Sequence, residues 1–245
     1  MAGKRLKMKY LVFLLVFASP SLNRDIPARS YFVVWNVGQG QWLTAITPAS
    51  CHHFDMGGEF FPWQKIIFQC AQKENFVFLS HWDWDHIGAL NQFKNMTRLQ
   101  KLCIQLRPRG KTSGRKARLL SSYLDCPVQF KGAVWSTQSP RNTNEQSHVI
   151  AFNSYLIPGD STSAQEKKWS TLSAFRQARV LILGHHGSQT STSKELLDSL
   201  PALRMSVASA RWARYRHPHS QVQWRLQKKK VPLLRTEDWG NIWFE

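Results

Sequence analysis

The sequence predicts an α/β (α+β) fold in which two sheets pack together and helices cover their outer faces. Short apolar segments read as antiparallel strands near the start of the chain, and strands alternate with helices later. Of the 245 residues, 42% are hydrophobic, including 11 Trp and 14 Phe, which is ample material for a core and argues against disorder. The length fits one large domain, residues 31–245, behind a short N-terminal segment.

The predicted strands are short apolar runs that end at turn residues. In chain order they cover residues 31–37, 41–47, 52–54, 76–80, 101–106, 148–157, 179–183, 203–208 and 231–234. The first two flank the Gly38-Gln39-Gly40 turn, which indicates a hairpin. The third ends at Asp55, before the Gly57-Gly58 pair.

The predicted helices are segments between these strands. They cover residues 60–73, 87–93, 115–124, 164–175, 194–200 and 220–228. Polar residues of chemical interest recur where strands end, and open α/β architectures build their sites at that edge. We therefore expect a functional site at the strand ends.

The first residues have the layout of a secretory signal peptide, in which an apolar run over residues 10–18 follows a group of cations. The cations are Lys4, Arg5, Lys7 and Lys9. The run is shorter than the ~20 residues that span a bilayer. We predict a signal peptide over residues 1–18, a linker over residues 19–30, and a periplasmic or secreted protein with no stable membrane span after processing. An uncleaved N-terminal membrane anchor and an ordinary buried strand are the alternatives.

Four cysteines are spread widely along the chain: Cys51, Cys70, Cys103 and Cys126. An even number in an exported chain predicts one or two disulfides, and the spacing does not resemble a zinc knuckle. Four separate buried thiols are the alternative.

The chain is strongly basic, with 33 Lys and Arg against 15 Asp and Glu and a formal net charge of +18. Such an excess attracts polyanions, which include nucleic acid, anionic cell-wall polymers and membrane surfaces. The cations form two clusters. The first contains Lys101, Arg107, Arg109, Lys111, Arg115 and Lys116, and the second contains Arg211, Arg214, Arg216, Lys228, Lys229 and Lys230. Each cluster is either a solvated face or a surface that steers an anionic substrate.

The strongest chemical signal is the run His81-Trp82-Asp83-Trp84-Asp85-His86, which directly follows an apolar strand. On a loop, its two imidazoles and two carboxylates can converge on one or two cations. A chance surface cluster is the weaker interpretation, because such groups beside a buried strand need compensating positive charge.

Further ligands follow two later strands. Asp160 comes after a Pro-Gly turn, and His185-His186-Gly187-Ser188 follows an apolar strand. Each alone is a weak signal, since such an Asp is usually a turn or cap residue and paired histidines are often structural. The combination favours a metal site, because all of these ligands sit at the carboxyl ends of strands.

These motifs resemble those of the metallo-β-lactamase superfamily, and one branch in particular: the C-terminal domain of the competence DNA-uptake protein ComEC. The residues that carry the resemblance are Val37-Gly38-Gln39-Gly40, the His81–His86 run with Ile87-Gly88, the Asn144 to Ser147 stretch, Gly184-His185-His186-Gly187-Ser188, Arg214-Tyr215-Arg216-His217-Pro218-His219 and Leu234-Arg235-Thr236. The resemblance runs from about Tyr31 to the C-terminus. It implies an αββα sandwich, built as a single domain, with a metal site between the two sheets.

The resemblance also implies roles for individual residues. His81 and Asp83 would hold one divalent ion, Asp85 and His86 the other, and Asp160 would bridge them. One of His185 and His186 would complete the second position, and the sequence leaves open which. Asp55 would support the metal loop. Since Asp83 stands where many superfamily members have His, the site is rich in oxygen ligands, and manganese competes with zinc.

The predicted catalytic residues are Asp85, His185, His217 and His219. Asp85 would orient the metal-activated hydroxide or take its proton. His217 and His219 would contact a phosphate oxygen or protonate the leaving oxygen, the alternative being a surface turn around Pro218.

Three features depart from the family pattern. Asn36 and Gln41 replace aspartates beside the Gly38–Gly40 turn. Many superfamily members have a further His ligand before Asp160, for which Asn144 and His148 are the nearby candidates. The membrane channel that usually accompanies the domain is not seen in this sequence.

Charge and site together predict an exported, metal-dependent phosphodiesterase or nuclease that acts on DNA, with single-stranded DNA among its substrates. A phosphodiesterase on small or cell-wall phosphoesters, like the phosphorylcholine esterases, is the second hypothesis. A non-catalytic polyanion-binding protein is the third.

Overall fold

Two mixed sheets, each with six strands, organise the part of the chain that the computed structural model describes: residues 29–93, 102–127 and 129–245. The first sheet contains β1 (Tyr31–Val34), β2 (Trp42–Ile46), β3 (Ser50–Met56), β4 (Glu74–Phe78), β5 (Leu102–Leu106) and β12 (Ile242–Phe244). The second contains β6 (Ala133–Trp135), β7 (Val149–Phe152), β8 (Tyr155–Ile157), β9 (Val180–Ile182), β10 (Met205–Ala208) and β11 (Leu233–Arg235). The strand orders are β12-β1-β2-β3-β4-β5 and β11-β10-β9-β8-β7-β6.

The strand directions follow the predicted pattern. The early strands β1, β2 and β3 pair antiparallel, whereas β3, β4 and β5 pair parallel. In the second sheet β8, β9, β10 and β11 are parallel. The carboxyl ends of these parallel strands therefore lie along one edge of each sheet.

Helices connect the strands. They are α1 (Trp63–Cys70), α2 (Trp84–Ile87), α3 (Leu90–Phe93), α4 (Gly114–Ser121), α5 (Ser163–Trp169), α6 (Ser173–Arg176), α7 (Lys194–Ser199), α8 (Trp212–Tyr215), α9 (Ser220–Lys228) and α10 (Thr236–Trp239). A short 3-10 turn covers Asn144–Gln146, and an irregular turn with a left-handed backbone at His185 and His186 covers Gly184–Gly187.

Alternation along the strands builds three apolar layers. Phe32 and Val34 of β1 lie between the two sheets with Ile150 and Ile182, whereas Val33 packs on the opposite side in the cluster that includes residues of α1. The second sheet likewise packs its outer side against α5, α7 and α9. Burial of each large apolar side chain contributes about 1.5–3 kcal/mol. The result is the predicted αββα sandwich.

Several predicted elements differ from the structure. Residues 87–93 do not form one helix, because α2 ends at Ile87 and α3 begins at Leu90. Residues 148–157 are not one strand but the antiparallel hairpin β7–β8, which turns at Asn153 and Ser154. Asn153 has φ 52°, a left-handed conformation that Asn adopts more readily than most residues. Residues 164–175 form two helices, α5 and α6, rather than one. The strands β6 and β12 were not predicted, because a run of three residues has too little periodicity to recognise.

Both pairs of cysteines form disulfides, which agrees with the predicted one or two bridges. Cys51 of β3 is bonded to Cys70 of α1, and Cys103 of β5 is bonded to Cys126. The alternative of four separate thiols is wrong.

The predicted signal peptide (1–18), residues 19–28 of the predicted linker, and Lys101 lie outside the described residues. None of the helices that can be described is long and apolar enough to cross a membrane.

Candidate metal centre

The first set of predicted ligands follows β4 and is only partly on a loop. His81 and Asp83 precede α2, with Asp83 at its N-cap in an extended conformation. Asp85 and His86 belong to α2 itself, whose first turn is closed by a hydrogen bond from the His86 amide to the Asp83 carbonyl oxygen, 2.9 Å. The prediction of a loop is therefore wrong for the second half of the run.

Glycines let two neighbouring turns approach this segment. A Cβ atom on Gly57 would lie 2.1 Å from the Asp85 carbonyl carbon, and one on Gly40 would lie 2.7 Å from the Asp85 oxygen. The Gln41 amide donates to that same oxygen at 2.9 Å. The Gly38–Gly40 turn and the Gly57-Gly58 pair thus hold the backbone of the His81–His86 segment in place.

The second set of predicted ligands comes from the other sheet, after β8 and β9. Oδ1 of Asp160 lies 3.1 Å from Nε2 of His86, and its Oδ2 lies 3.7 Å from Nε2 of His81. Nε2 of His186 lies 3.2 Å from Oδ2 of Asp85. The two sheets therefore bring together ligands that are far apart in the sequence.

These side chains fall into two groups that share Asp160. His81, Asp83 and His185 lie on one side, with Nε2 of His81 3.4 Å from Oδ2 of Asp83 and Nε2 of His185 3.6 Å from Oδ2 of Asp160. Asp85, His86 and His186 lie on the other side. The ligand atoms of His81, His86 and Asp160 lie within 4.8 Å of one another, as do those of Asp85, His86 and His186.

The arrangement of the donor atoms suits a bound divalent cation better than direct contacts between the side chains. Nδ1 of His86 donates to Asp55, 2.7 Å, and Nδ1 of His186 donates to the Ser209 carbonyl oxygen, 3.0 Å. In the neutral rings, the lone pairs of the two Nε2 atoms then face each other across 3.2 Å, beside carboxylates. A positive charge between them, either a proton or a metal cation, stabilises that arrangement, and each Nδ1 contact is the outer hydrogen bond typical of a metal-binding histidine.

Within this ligand cluster, two buried atoms also lack a partner with hydrogen-bond geometry among the described residues: Nε2 of His81 and Oδ1 of Asp160. The 3.1 Å contact between Oδ1 and Nε2 of His86 lacks the angle of a hydrogen bond. Buried polar atoms without partners are costly, so these two are further positions where a cation is expected.

The electrostatics of the site follow from the same contacts. Burial acts to lower the pKa of His86, but the carboxylates of Asp160 and Asp55 outweigh it and raise that pKa well above its ordinary value. Burial acts in the opposite direction on Asp160, and the imidazoles of His86 and His186 hold its pKa well below the usual range. The cluster thus favours ionised carboxylates and a compensating positive charge.

His185 and His186, which the sequence could not distinguish, have separate environments. His186 is buried and reaches Asp85, whereas His185 is partly exposed and lies 3.4 Å, through Nε2, from the Asn144 amide. Both residues have left-handed backbones, with φ 48° and 55°. This backbone turns two consecutive side chains toward different halves of the site.

Among the other predicted residues, His217 lies beside the cluster, whereas His219 caps the helix α9. The ring centroids of His217 and His185 are 6.3 Å apart. Nδ1 of His219 accepts from the Gln221 amide, 3.2 Å, and so caps α9. A catalytic role for His219 stays a prediction.

His148 is directed away from the site. Its Nε2 donates to the Arg107 carbonyl oxygen, 2.8 Å, and its Nδ1 accepts from the Ser136 hydroxyl, 2.5 Å. Of the two candidates for a further ligand, Asn144 is therefore the one beside the site.

Gln39 contacts His217, and no pattern in the sequence predicts this contact. Its Oε1 accepts from the Arg211 amide, 3.1 Å, so its Nε2 is free to donate to Nδ1 of His217, 3.2 Å. The Nε2 atom of His217 must then carry the ring proton. Burial, followed by His186 and His185, lowers the pKa of His217 to about 4, so the ring is a neutral donor near pH 7.

The αββα architecture and the ligand set at the strand ends define the metallo-β-lactamase fold. The chain belongs to this fold class. In overall structure it is similar to a diphosphatase of the PhnP family, with a TM-score of 0.53, 11% sequence identity, and coverage of 89% of this chain and 98% of that one.

Within this class, the sequence is related to bacterial competence proteins. It is 36% identical to competence protein ComA of Neisseria gonorrhoeae over 231 residues, which are 86% of this chain and 31% of that protein. It is 27% identical to ComE operon protein 3 of Bacillus subtilis over 187 residues, which are 68% of this chain and 24% of that protein. The chain thus spans a quarter to a third of the length of these relatives. No protein-family model matches it.

Proposed function

We propose that the chain is a metal-dependent phosphodiesterase that hydrolyses nucleic acid, with DNA, including single strands, as its substrate. One observation carries the proposal: two rims on which cations contact aromatic rings adjoin the ligand cluster. Phosphates need the cations and unpaired bases need the rings.

The first rim is built around Trp84, which stands between the ligands Asp83 and Asp85 and is 38% exposed. The guanidinium carbon of Arg115 lies 5.1 Å from the centre of its ring, and Nζ of Lys116 lies 5.4 Å from it. Nζ of Lys116 is also 3.7 Å from Oδ1 of Asp83. The first basic cluster of the sequence therefore reaches the edge of the candidate metal centre.

The second rim is the segment around α8. Arg211 and Arg214 both bind the carboxylate of Glu59, at 3.1 Å and 2.8 Å, and the Arg214 guanidinium lies 5.2 Å from the ring of Tyr215. Because Gln39 connects this segment to His217, the arginines and the imidazole lie on one side of the ligand cluster. Part of the second basic cluster thus flanks the site as well.

In the proposed hydrolysis, the metal ions and the side chains of the protein have separate roles. When bound, two divalent cations, zinc or manganese, would supply the positive charge that activates water and offsets the charge on the phosphoryl oxygens. His81, Asp83, Asp85, His86, Asp160, His185 and His186 would hold them. Asp85 orients the attacking water or takes its proton. His217, neutral and protonated at Nε2, donates a hydrogen bond to a phosphate oxygen, and this state favours positioning over protonation of the leaving oxygen.

The relatives support a role in DNA handling only by their names, which are those of competence proteins. Export of this chain belongs to the same proposal and depends on the predicted signal peptide. The likeness to a diphosphatase shows the fold, and it keeps a phosphodiesterase on small or cell-wall phosphoesters as the second candidate.

The test is an assay of labelled single-stranded and double-stranded DNA with manganese, zinc or magnesium. Wild type is expected to cut DNA, and Asp85→Ala to lose about 10²–10⁴-fold of that activity. Glu74→Ala is the matched control, because Glu74 is an exposed carboxylate at the opposite end of β4. Its activity should equal that of wild type.

Two results would contradict the proposal. Hydrolysis of bis-p-nitrophenyl phosphate without DNA cleavage would favour the small-phosphoester enzyme. DNA that binds but is not cut with any of the three metals would favour the non-catalytic polyanion-binding protein.

A further inference from the structure

A pocket with an apolar floor and a cationic rim lies between α7 and α9, on the outer side of the second sheet. Its volume is about 210 Å³. Leu197 is 2% exposed and lines its floor, whereas Trp224 is 58% exposed and forms one wall. The surrounding cations are Lys194, Arg225, Lys228 and Lys229. The metal-centre ligands do not line this pocket.

The net charge at this pocket is positive. Asp198 is the one carboxylate that lines it, so four cations against one anion leave +3. Oxygens of Asp198 lie 2.5 Å from Nζ of Lys194 and 2.6 Å from Nζ of Lys229, which brings both ammonium groups to the rim. Such a rim complements an anionic ligand rather than a neutral one.

The aromatic wall adds a second requirement. Nζ of Lys228 lies 4.7 Å from the centre of the Trp224 ring, and both side chains are exposed. A free phosphate would use the lysines but not the indole, and an apolar ligand would use the indole but not the lysines. An unpaired nucleotide uses both, since its base stacks on an aromatic ring and its phosphate binds a cation.

The pocket is placed where a bound strand can reach it from the candidate metal centre. α9 begins after His219, two residues beyond His217, and Trp224 follows His219 by five residues, which is about 7.5 Å along the helix axis. A guanidinium nitrogen of Arg225 donates to the Ser191 carbonyl oxygen at 3.2 Å. Ser191 belongs to the loop that carries His185 and His186. The pocket and the site thus share a loop.

We infer that the Trp224 pocket is a second nucleic-acid contact, which binds an unpaired nucleotide of a single strand whose scissile phosphate lies at the metal centre. The identity of the strand rests on the proposed function. The pocket itself can be tested without hydrolysis.

The experiment measures fluorescence anisotropy of a labelled 20-nucleotide oligo-dT with the full chain in EDTA. Trp224→Ala is expected to raise the Kd about tenfold or more, because stacking of one base contributes on that scale. Trp224→Phe, which keeps a ring, should have an intermediate Kd. Phe68→Ala is the matched control, since Phe68 is an 84% exposed aromatic residue on α1, beside the other sheet, and its Kd should stay within twofold of wild type.

The outcomes separate the pocket from the proposed function. If wild type does not cut DNA but Trp224→Ala weakens binding, the proposed function fails and the pocket stands. If Trp224→Ala binds oligo-dT within twofold of wild type, the pocket inference is overturned whether or not DNA is cut. It is also overturned if the variant loses binding only to phosphatidylglycerol vesicles, which would assign the pocket to a membrane surface.

A second variant covers the case in which Trp224→Ala does not fold. Lys228→Ala should weaken oligo-dT binding and lower the slope of log K against log salt by about 0.7, the value for one phosphate contact on a single strand. An unchanged slope in that variant would overturn the inference.

Discussion

Nδ1 of His86 lies 2.7 Å from Oδ2 of Asp55, a carboxylate that is 2% exposed. Asp55 also accepts hydrogen bonds from the Ser80 amide, 2.7 Å, and from Nε2 of Gln41, 2.8 Å. These bonds fix the carboxylate, and the carboxylate fixes the imidazole ring with Nε2 directed at Asp160. Gln41, which replaces an aspartate of the family pattern, is therefore part of the support for His86.

Asp55→Asn should lower the affinity for zinc about 10–100-fold, because the outer hydrogen bond that orients His86 is weakened. Competition with a chromophoric chelator measures the affinity. Glu74→Gln, which changes an exposed carboxylate at the amino end of the neighbouring strand β4, should leave it unaltered. Equal zinc affinity in Asp55→Asn and wild type would mean that Asp55 does not position His86.

His53 predicts a loss of stability in mild acid. The ring is fully buried, its Nδ1 accepts from the indole of Trp42 at 3.2 Å, and its Nε2 donates to Oδ1 of Asn75 at 3.0 Å, so it is held neutral. Burial lowers its pKa to about 4 from 6.5. Stability from this lowered pKa is fully present above pH 6.5 and is lost as the pH falls toward 4.

The expected loss from His53 between pH 8 and pH 5 is about 2 kcal/mol in the free energy of unfolding. Urea titration at both pH values measures it. His53→Gln, which does not titrate, should show a pH dependence smaller by that amount, even if it is less stable throughout. An identical pH dependence in the two proteins would show that burial does not lower the pKa of the His53 ring.

Arg115→Ala tests the first rim of the site. Loss of one phosphate contact should reduce the slope of log K against log salt by about 0.7 for single-stranded DNA, and weaken binding similarly for all sequences. Anisotropy between about 50 and 200 mM salt measures both. Arg204→Ala is the control, since Arg204 is exposed at the amino end of β10, opposite the site. A slope that falls equally in both variants would mean that the rim has no special role.

The two disulfides should stabilise the fold to a similar extent. They join residues that are 19 and 23 positions apart. Loops of that length correspond to about 3 kcal/mol each in the chain-entropy account. Cys51→Ser with Cys70→Ser should therefore lower the free energy of unfolding by about that amount. Reduction of wild type should cost about as much as both pairs together, and a protein that is equally stable when reduced would contradict the prediction.

Local patterns predicted the candidate ligands because chemistry-bearing residues are dense at the strand ends. Four potential ligands lie between His81 and His86, and Asp160 and the His185-His186 pair each follow an apolar strand. Apolar alternation likewise predicted most strands and the sandwich. Such information is carried by neighbours in the sequence, so it can be recovered without coordinates.

Contacts between distant segments could not be recovered in the same way. Gln39 and His217 are 178 positions apart, and nothing local links them. The separate environments of His185 and His186 depend on two left-handed backbones, which residue type alone does not predict. The sequence did not predict the β7–β8 turn, because Asn153 and Ser154 interrupt the apolar run by only two residues, which is too short to indicate the end of a strand.

The left-handed backbones of His185 and His186 lower the stability of the fold, but they place two imidazoles at the candidate metal centre. Each non-glycine residue in that conformation costs roughly 1–2 kcal/mol, which glycine would avoid. A selection for thermostability alone would therefore favour glycine at both positions. Variants with glycine at both positions would be more heat-stable but would lack two imidazoles of the candidate metal centre. A screen for stabilised variants of this protein should therefore keep the codons for His185 and His186 unchanged.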